Sequence, residues 1–241
     1  MSESCTMQDK AYCEGAHQVA RKANKSNVVA YPSRKPARST EKAAAPTDSG
    51  VPRQDDTRVM ALDLPPGTLS PAMQAYFKKC EEKLGFVPNV LLAYAFDNAK
   101  LEAFAAFYND LMVAPSGLSK LEREMIAVVV SSQNRCYYCL TAHGAAVRVY
   151  SGDPALGELM AMNYRAAKLT RKQRAMLDFS VKMTAESSAI EEEDREALRR
   201  VGFSDRDIWD IAAVAGFFNM SNRIASATDM RPNAVYHGQG R

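Results

Sequence analysis

Cys136-Tyr137-Tyr138-Cys139 is the segment of this chain with the most chemistry in it, and His143 follows four residues after the second cysteine. The thiolate, not the thiol, is the nucleophile, and an unperturbed thiol with a pKa of about 8.5 is mostly protonated near neutral pH. Three features lower that value: the positive end of a helix, a base that accepts the proton, and a second sulfur. On a helix advancing about 100° per residue, Cys139 and His143 are neighbours one turn apart, and Cys136 lies on the same stripe two turns from His143. Helical side chains lean toward the N-terminus, which brings His143 over Cys139. His143 is one of three histidines in the chain and is the candidate base. Glu124, on the preceding helix, is the carboxylate that would orient it. A C-x-x-C at a helix start can also acidify its more N-terminal sulfur, so spacing alone leaves open which cysteine attacks.

Other chemistries compete for the same residues. Two cysteines and a histidine supply three zinc ligands, but a second pair is missing, and ligands three and seven apart on one helix close a tetrahedron poorly. A non-catalytic redox sensor needs only the dithiol. Haem attachment requires His directly after the second cysteine, where Leu140 stands. Glycine-rich phosphate loops are missing, so no cofactor is expected.

The elements that must carry these residues read as helices. Ser70-Pro71 is an N-cap followed by proline at the first helical position, and Gly85 stops the helix. Ser119 with Glu122 and Thr170 with Gln173 spell capping boxes. Glu191 to Arg200 is a polar helix closed by Gly202, and Ser204 caps a long helix through Ile208, Ile211, Ala215, Phe218 and Ile224. Asn134 is the expected N-cap of the cysteine helix. Trp209, Phe217 and Phe218 are expected in the core, whereas Asn219, Asn222 and Arg223 are polar on an otherwise apolar helix and fit either the site or a subunit contact. No run of strands alternates convincingly, so the expected fold is all-α: a disordered tail over 1–55 and one helical domain over 60–235.

Composition bounds the function further. The formal charge is +3 over 241 residues, and the excess sits in the first fifty, so the body has no basic field for nucleic acid. The start lacks the apolar core of a secretory signal, and no apolar run approaches the ~20 residues that span a bilayer. Five cysteines, an odd and uneven set, do not suggest a secreted disulfide framework. A cytoplasmic location is expected, with no membrane contact.

Glu124, eleven residues, Cys136-x-x-Cys139, three residues and His143 form a pattern that resembles the alkylhydroperoxidase D (AhpD-like) family, within the carboxymuconolactone decarboxylase superfamily. GFVPNVLLAYA at Gly85–Ala95 and FFNMSNRIASAT at Phe217–Thr228 resemble its peroxidase-related branch. The likeness runs from about residue 60 to 231. It implies an all-helical fold assembled as homotrimers or hexamers, and reduction of a hydroperoxide substrate by the cysteine pair. It also implies Cys139 as the attacking thiol, Cys136 as the resolving one, His143 and Glu124 as the proton relay, and a dithiol protein as reductant. A decarboxylase or lactone-processing enzyme of the wider superfamily is the alternative, although that chemistry does not require C-x-x-C. One residue departs from the pattern: Tyr138 stands where the best-studied branch has histidine, and a phenol with a pKa of about 10 shuttles protons poorly at neutral pH.

Overall fold

A computed structural model describes residue 54 and residues 57–241. The tail expected over 1–55 lies almost wholly outside the described residues. Among them the chain forms nine α-helices and no strand: α1 Pro71–Leu84, α2 Asn89–Tyr94, α3 Asn98–Met112, α4 Lys120–Gln133, α5 Tyr137–Ser151, α6 Pro154–Asn163, α7 Arg171–Ala185, α8 Glu192–Arg200 and α9 Asp205–Ala227. No helix among the described residues is long and apolar enough to cross a membrane.

Local signals fix most of the ends. Ser70 caps α1 through the Met73 N–H, and Gly85 closes it in the left-handed conformation at φ 80°. Reciprocal capping boxes start α4 at Ser119 and Glu122, α7 at Thr170 and Gln173, and α9 at Ser204 and Asp207.

Helix α4 is the axis of the molecule. All residues from Arg123 to Ser131 are buried, because α5, α6, α7 and α9 pack around it. A helix covered on every side must be apolar nearly all round, which accounts for the run Met125–Val130. Glu124 and Ser131 are the polar exceptions that reach the candidate site. Helix α9 lays Ile211, Val214, Ala215, Phe217 and Phe218 into the same core.

Two expectations need correcting. Asn134 does not cap α5; it is the C-cap of α4. Arg135 then turns the chain at φ 52°, and Cys136 itself takes the N-cap position of α5. Trp209 is not core: it is 58 % exposed, while Phe217 and Phe218 are buried. Ile208 and Ile211 turn the other face of α9 inward, and Trp209, one residue from Ile208, is carried round to solvent beside the Arg206 guanidinium.

Candidate active site

The three-residue joint between α4 and α5, Asn134 to Cys136, builds the sulfur site. The Cys136 N–H donates to Ser131 O at 3.0 Å and the Arg135 N–H to Ser132 O at 3.1 Å, so α5 starts at a fixed angle to α4. Cys136 at the N-cap meets the positive end of α5, and Cys139 follows in its first turn. Both cysteines are buried and unbridged, packed with Ala93, Tyr138, Ala225 and Met230.

His143 sits one turn beyond Cys139, and its Nδ1 lies 2.6 Å from Glu124 Oε2. The side chains are 12 % and 9 % exposed, so little water competes for this contact. The Phe218 ring meets the imidazole edge-on, centroids 4.6 Å apart, and fixes its plane. With Nδ1 taken by Glu124, Nε2 is the ring nitrogen left to exchange a proton with its surroundings.

The sulfurs differ in access. Cys139, His143 and Glu124 line one cavity of about 390 Å³; Cys136 is not part of its wall. The remaining wall is mostly apolar and aromatic, with Leu84, Phe86, Leu91, Phe104 and Phe217 among its residues, and also includes Cys80, Ser221 and Gln239. A larger groove of about 680 Å³ runs along residues 57–67 and contains none of these groups.

The sulfurs also differ in charge. Cys136 is held down at about 6. The Cys139 thiol hydrogen-bonded to its sulfur is the main cause, helped by the Cys139 backbone N–H, by Ser226 and by the nearby His143, and opposed by burial. That backbone N–H acts without closing a full capping bond. Cys139 is pushed well up, first by the Cys136 sulfur and then by burial, with the Asn222 side chain pulling the other way. The reduced pair thus holds one proton between two sulfurs, a coupled titration that belongs to both. Charge favours Cys136 and access favours Cys139.

Every residue singled out from the sequence comes together here: Glu124, Cys136, Cys139 and His143. Tyr138 is also present, but packed. Its hydroxyl accepts the Val90 N–H at 2.9 Å, at the start of α2, where the Pro88 N-cap has no side chain to offer. Sequence reading missed Ser131 and Ser226, and left Asn222 undecided. Asn222 is fully buried; its Nδ2 donates to Ser131 Oγ at 2.9 Å and its Oδ1 accepts from Asn134 Nδ2 at 3.0 Å. Asn219 accepts from the same Asn134 amide and from Arg223. A polar cluster on an apolar helix was the available signal. Among the described residues no three or more His, Cys, Asp or Glu side chains are grouped to hold a metal ion.

Comparison with known proteins identifies the family. The carboxymuconolactone decarboxylase family model matches residues 98–155, a stretch that includes Glu124, both cysteines and His143. No curated protein matches the chain. Among solved structures, an uncharacterised peroxidase-related protein from Silicibacter sp. is 67 % identical, with 76 % of this chain and 96 % of that one covered and a TM-score of 0.74. An alkylhydroperoxidase AhpD core protein from Ralstonia eutropha, also described as peroxidase-related, is 41 % identical over 77 % of this chain and 98 % of that one, again at 0.74. The debrominase Bmp8 shares the fold at 20 % identity and a TM-score of 0.61, covering 77 % of this chain and 97 % of its own. The chain belongs to the AhpD-like branch of the carboxymuconolactone decarboxylase superfamily.

Proposed function

We propose that this protein is a thiol-dependent peroxidase that reduces hydroperoxides with the Cys136–Cys139 pair. The observation that carries the reading is the joint placement of Cys139, His143 and Glu124 on one cavity, with a second sulfur hydrogen-bonded behind Cys139. Neither a decarboxylase nor a lactone-processing enzyme has a use for that second sulfur.

The reaction follows from the shared proton. The hydroperoxide enters the cavity and meets Cys139. The proton on Cys139 passes to His143, whose imidazolium Glu124 stabilises, while Cys136 stays a thiolate. The Cys139 thiolate attacks the outer peroxide oxygen, the O–O bond breaks, and the departing alkoxide takes a proton from His143 and leaves as the alcohol. Cys139 is now a sulfenic acid. Cys136 attacks its sulfur, the hydroxyl leaves as water with one more proton, and a Cys136–Cys139 disulfide remains. Two thiols and one hydroperoxide have become a disulfide, an alcohol and water. A dithiol protein restores the pair by exchange.

Trapping separates the two sulfurs. In Cys136→Ser, one equivalent of hydroperoxide should leave a stable sulfenic acid on Cys139, captured by dimedone and located by mass spectrometry. Cys139→Ser should consume no hydroperoxide at a comparable rate. Capture on Cys136 in Cys139→Ser, with none on Cys139 in Cys136→Ser, would reverse the assignment.

A further inference from the structure

The segment after α9 forms part of the cavity wall. Tyr236 and Gln239 line it alongside Cys139 and His143. Tyr236 lies on a 3₁₀ turn, Ala234–His237, whose neighbours 234, 235 and 237 face solvent while Tyr236 is half-buried. Its ring meets Phe86 edge-on with centroids 5.4 Å apart, joining the C-terminal segment to the turn that leads into α2. Burial pushes its phenol up to about 12, helped by the nearby Cys80 and Glu124, so the ring stays neutral inside an apolar space.

The segment is held in place by a buried arginine. Arg148, on α5 beyond His143, is 6 % exposed. Its Nη2 donates to Tyr236 O at 2.7 Å and its Nε to Gln239 O at 2.9 Å. Two glycines make room for it. A Cβ at Gly157 would meet Arg148 Cγ at 2.7 Å, and one at Gly240, where φ is +74°, would meet Arg148 Cβ at 2.8 Å. Upstream, Asn233 accepts from the Asn89 N–H at 2.8 Å and donates to Val87 O at 3.1 Å. Downstream, Arg241 pairs with Glu158 at 2.8 Å. A guanidinium is costly to bury unless its hydrogen bonds are satisfied, and here the acceptors for Nη2 and Nε are the backbone carbonyls of the two lining residues, Tyr236 and Gln239.

We propose that Tyr236 limits the size of the organic group the sulfur cavity accepts, and that Arg148 is the positioning residue that holds Tyr236 there. This rests on the peroxidase reading for the identity of the substrate, but not for the shape of the wall. In Tyr236→Ala the apolar space extends toward solvent. Discrimination by an apolar pocket changes about tenfold for each small group gained or lost, so the preference for cumene hydroperoxide over tert-butyl hydroperoxide should rise by about that factor. Tyr236→Phe keeps the ring and should keep the ratio. Arg148→Gln should move the ratio in the same direction as Tyr236→Ala and speed amide exchange over residues 234–240. A general loss of stability lowers both rates together and leaves their ratio alone.

The matched alcohols, which cannot oxidise a thiol, supply the independent arm. Calorimetric binding of cumyl alcohol against tert-butanol to wild type, Tyr236→Ala, Tyr236→Phe and Arg148→Gln should show the same shift. If the alcohol ratio shifts while hydroperoxides leave the thiols intact, the wall assignment stands and the peroxidase reading fails. If the thiols are oxidised but neither ratio differs between wild type and Tyr236→Ala, the proposal about Tyr236 is overturned and the peroxidase reading stands. A ratio shift in Tyr236→Ala with none in Arg148→Gln removes Arg148 from its role.

Discussion

At the sulfur pair, one proton serves two thiols. Cys136 holds the charge chiefly because the Cys139 thiol hydrogen-bonds to its sulfur, with the Cys139 backbone N–H helping at the N-cap position of α5; Cys139 is the sulfur that lines the cavity. The pH dependence follows from the direction of the Cys136 shift. Its value falls from the ordinary 9.0 to about 6 in the folded, reduced protein. A depressed acid contributes stability that is complete above 9.0 and is lost as pH falls toward about 6. The ultraviolet thiolate absorbance of the reduced protein should therefore rise with a midpoint near 6, and Cys139→Ala, which removes the sulfur donor, should move that midpoint upward. An unmoved midpoint would mean that Cys139 does not hold the charge on Cys136. The reduced form should also melt at lower temperature at pH 5 than at pH 8.

At the level of elements, the site depends on how α4 and α9 meet. Asn222 on α9 donates to Ser131 on α4 and accepts from Asn134 at the α4 C-cap. Both contacts are buried or nearly so, and each ties a helix to the joint that sets Cys136 at the head of α5. Removing Asn222 deletes both bonds, together worth about 1–3 kcal/mol, while Asn134 keeps Asn219 and Ser131 keeps the Ala127 carbonyl. Asn222→Ala should therefore lower the stability of the fold by about that amount, measured by urea unfolding of the reduced protein. It should also raise Cys139 further, since Asn222 favours its thiolate. A variant with unchanged unfolding midpoint would show that this cluster does not bear on the joint.

Across the whole molecule, what was legible in the sequence was what is local. The capping boxes at Ser119 and Thr170 were readable because their partners lie three residues away, and Ser204 was readable as a cap, its box with Asp207 emerging in the structure. The stripe of Cys139 and His143 was readable because helical periodicity fixes it. Glu124 was found as the acid on the preceding helix, and the 2.6 Å contact with His143 spans only 19 residues. The chain turn at Arg135 left no trace, because an arginine at φ 52° looks like any other arginine in a sequence. Trp209 looked apolar enough for the core, and only the rotation of α9 put it outside. Tyr236, Asn222 and Arg148 were invisible as partners because their contacts join segments about ninety residues apart. Periodicity does not constrain pairings at that separation; packing of the finished fold does.

The most direct measurement is a thiol count in a chain with Cys5, Cys13 and Cys80 replaced by serine, so that only Cys136 and Cys139 remain. The reduced protein receives one equivalent of cumene hydroperoxide, and free thiols and cumyl alcohol are followed together. Loss of both thiols with formation of one equivalent of alcohol and an intramolecular disulfide is the expected result. Two intact thiols beside unconsumed hydroperoxide would contradict the account.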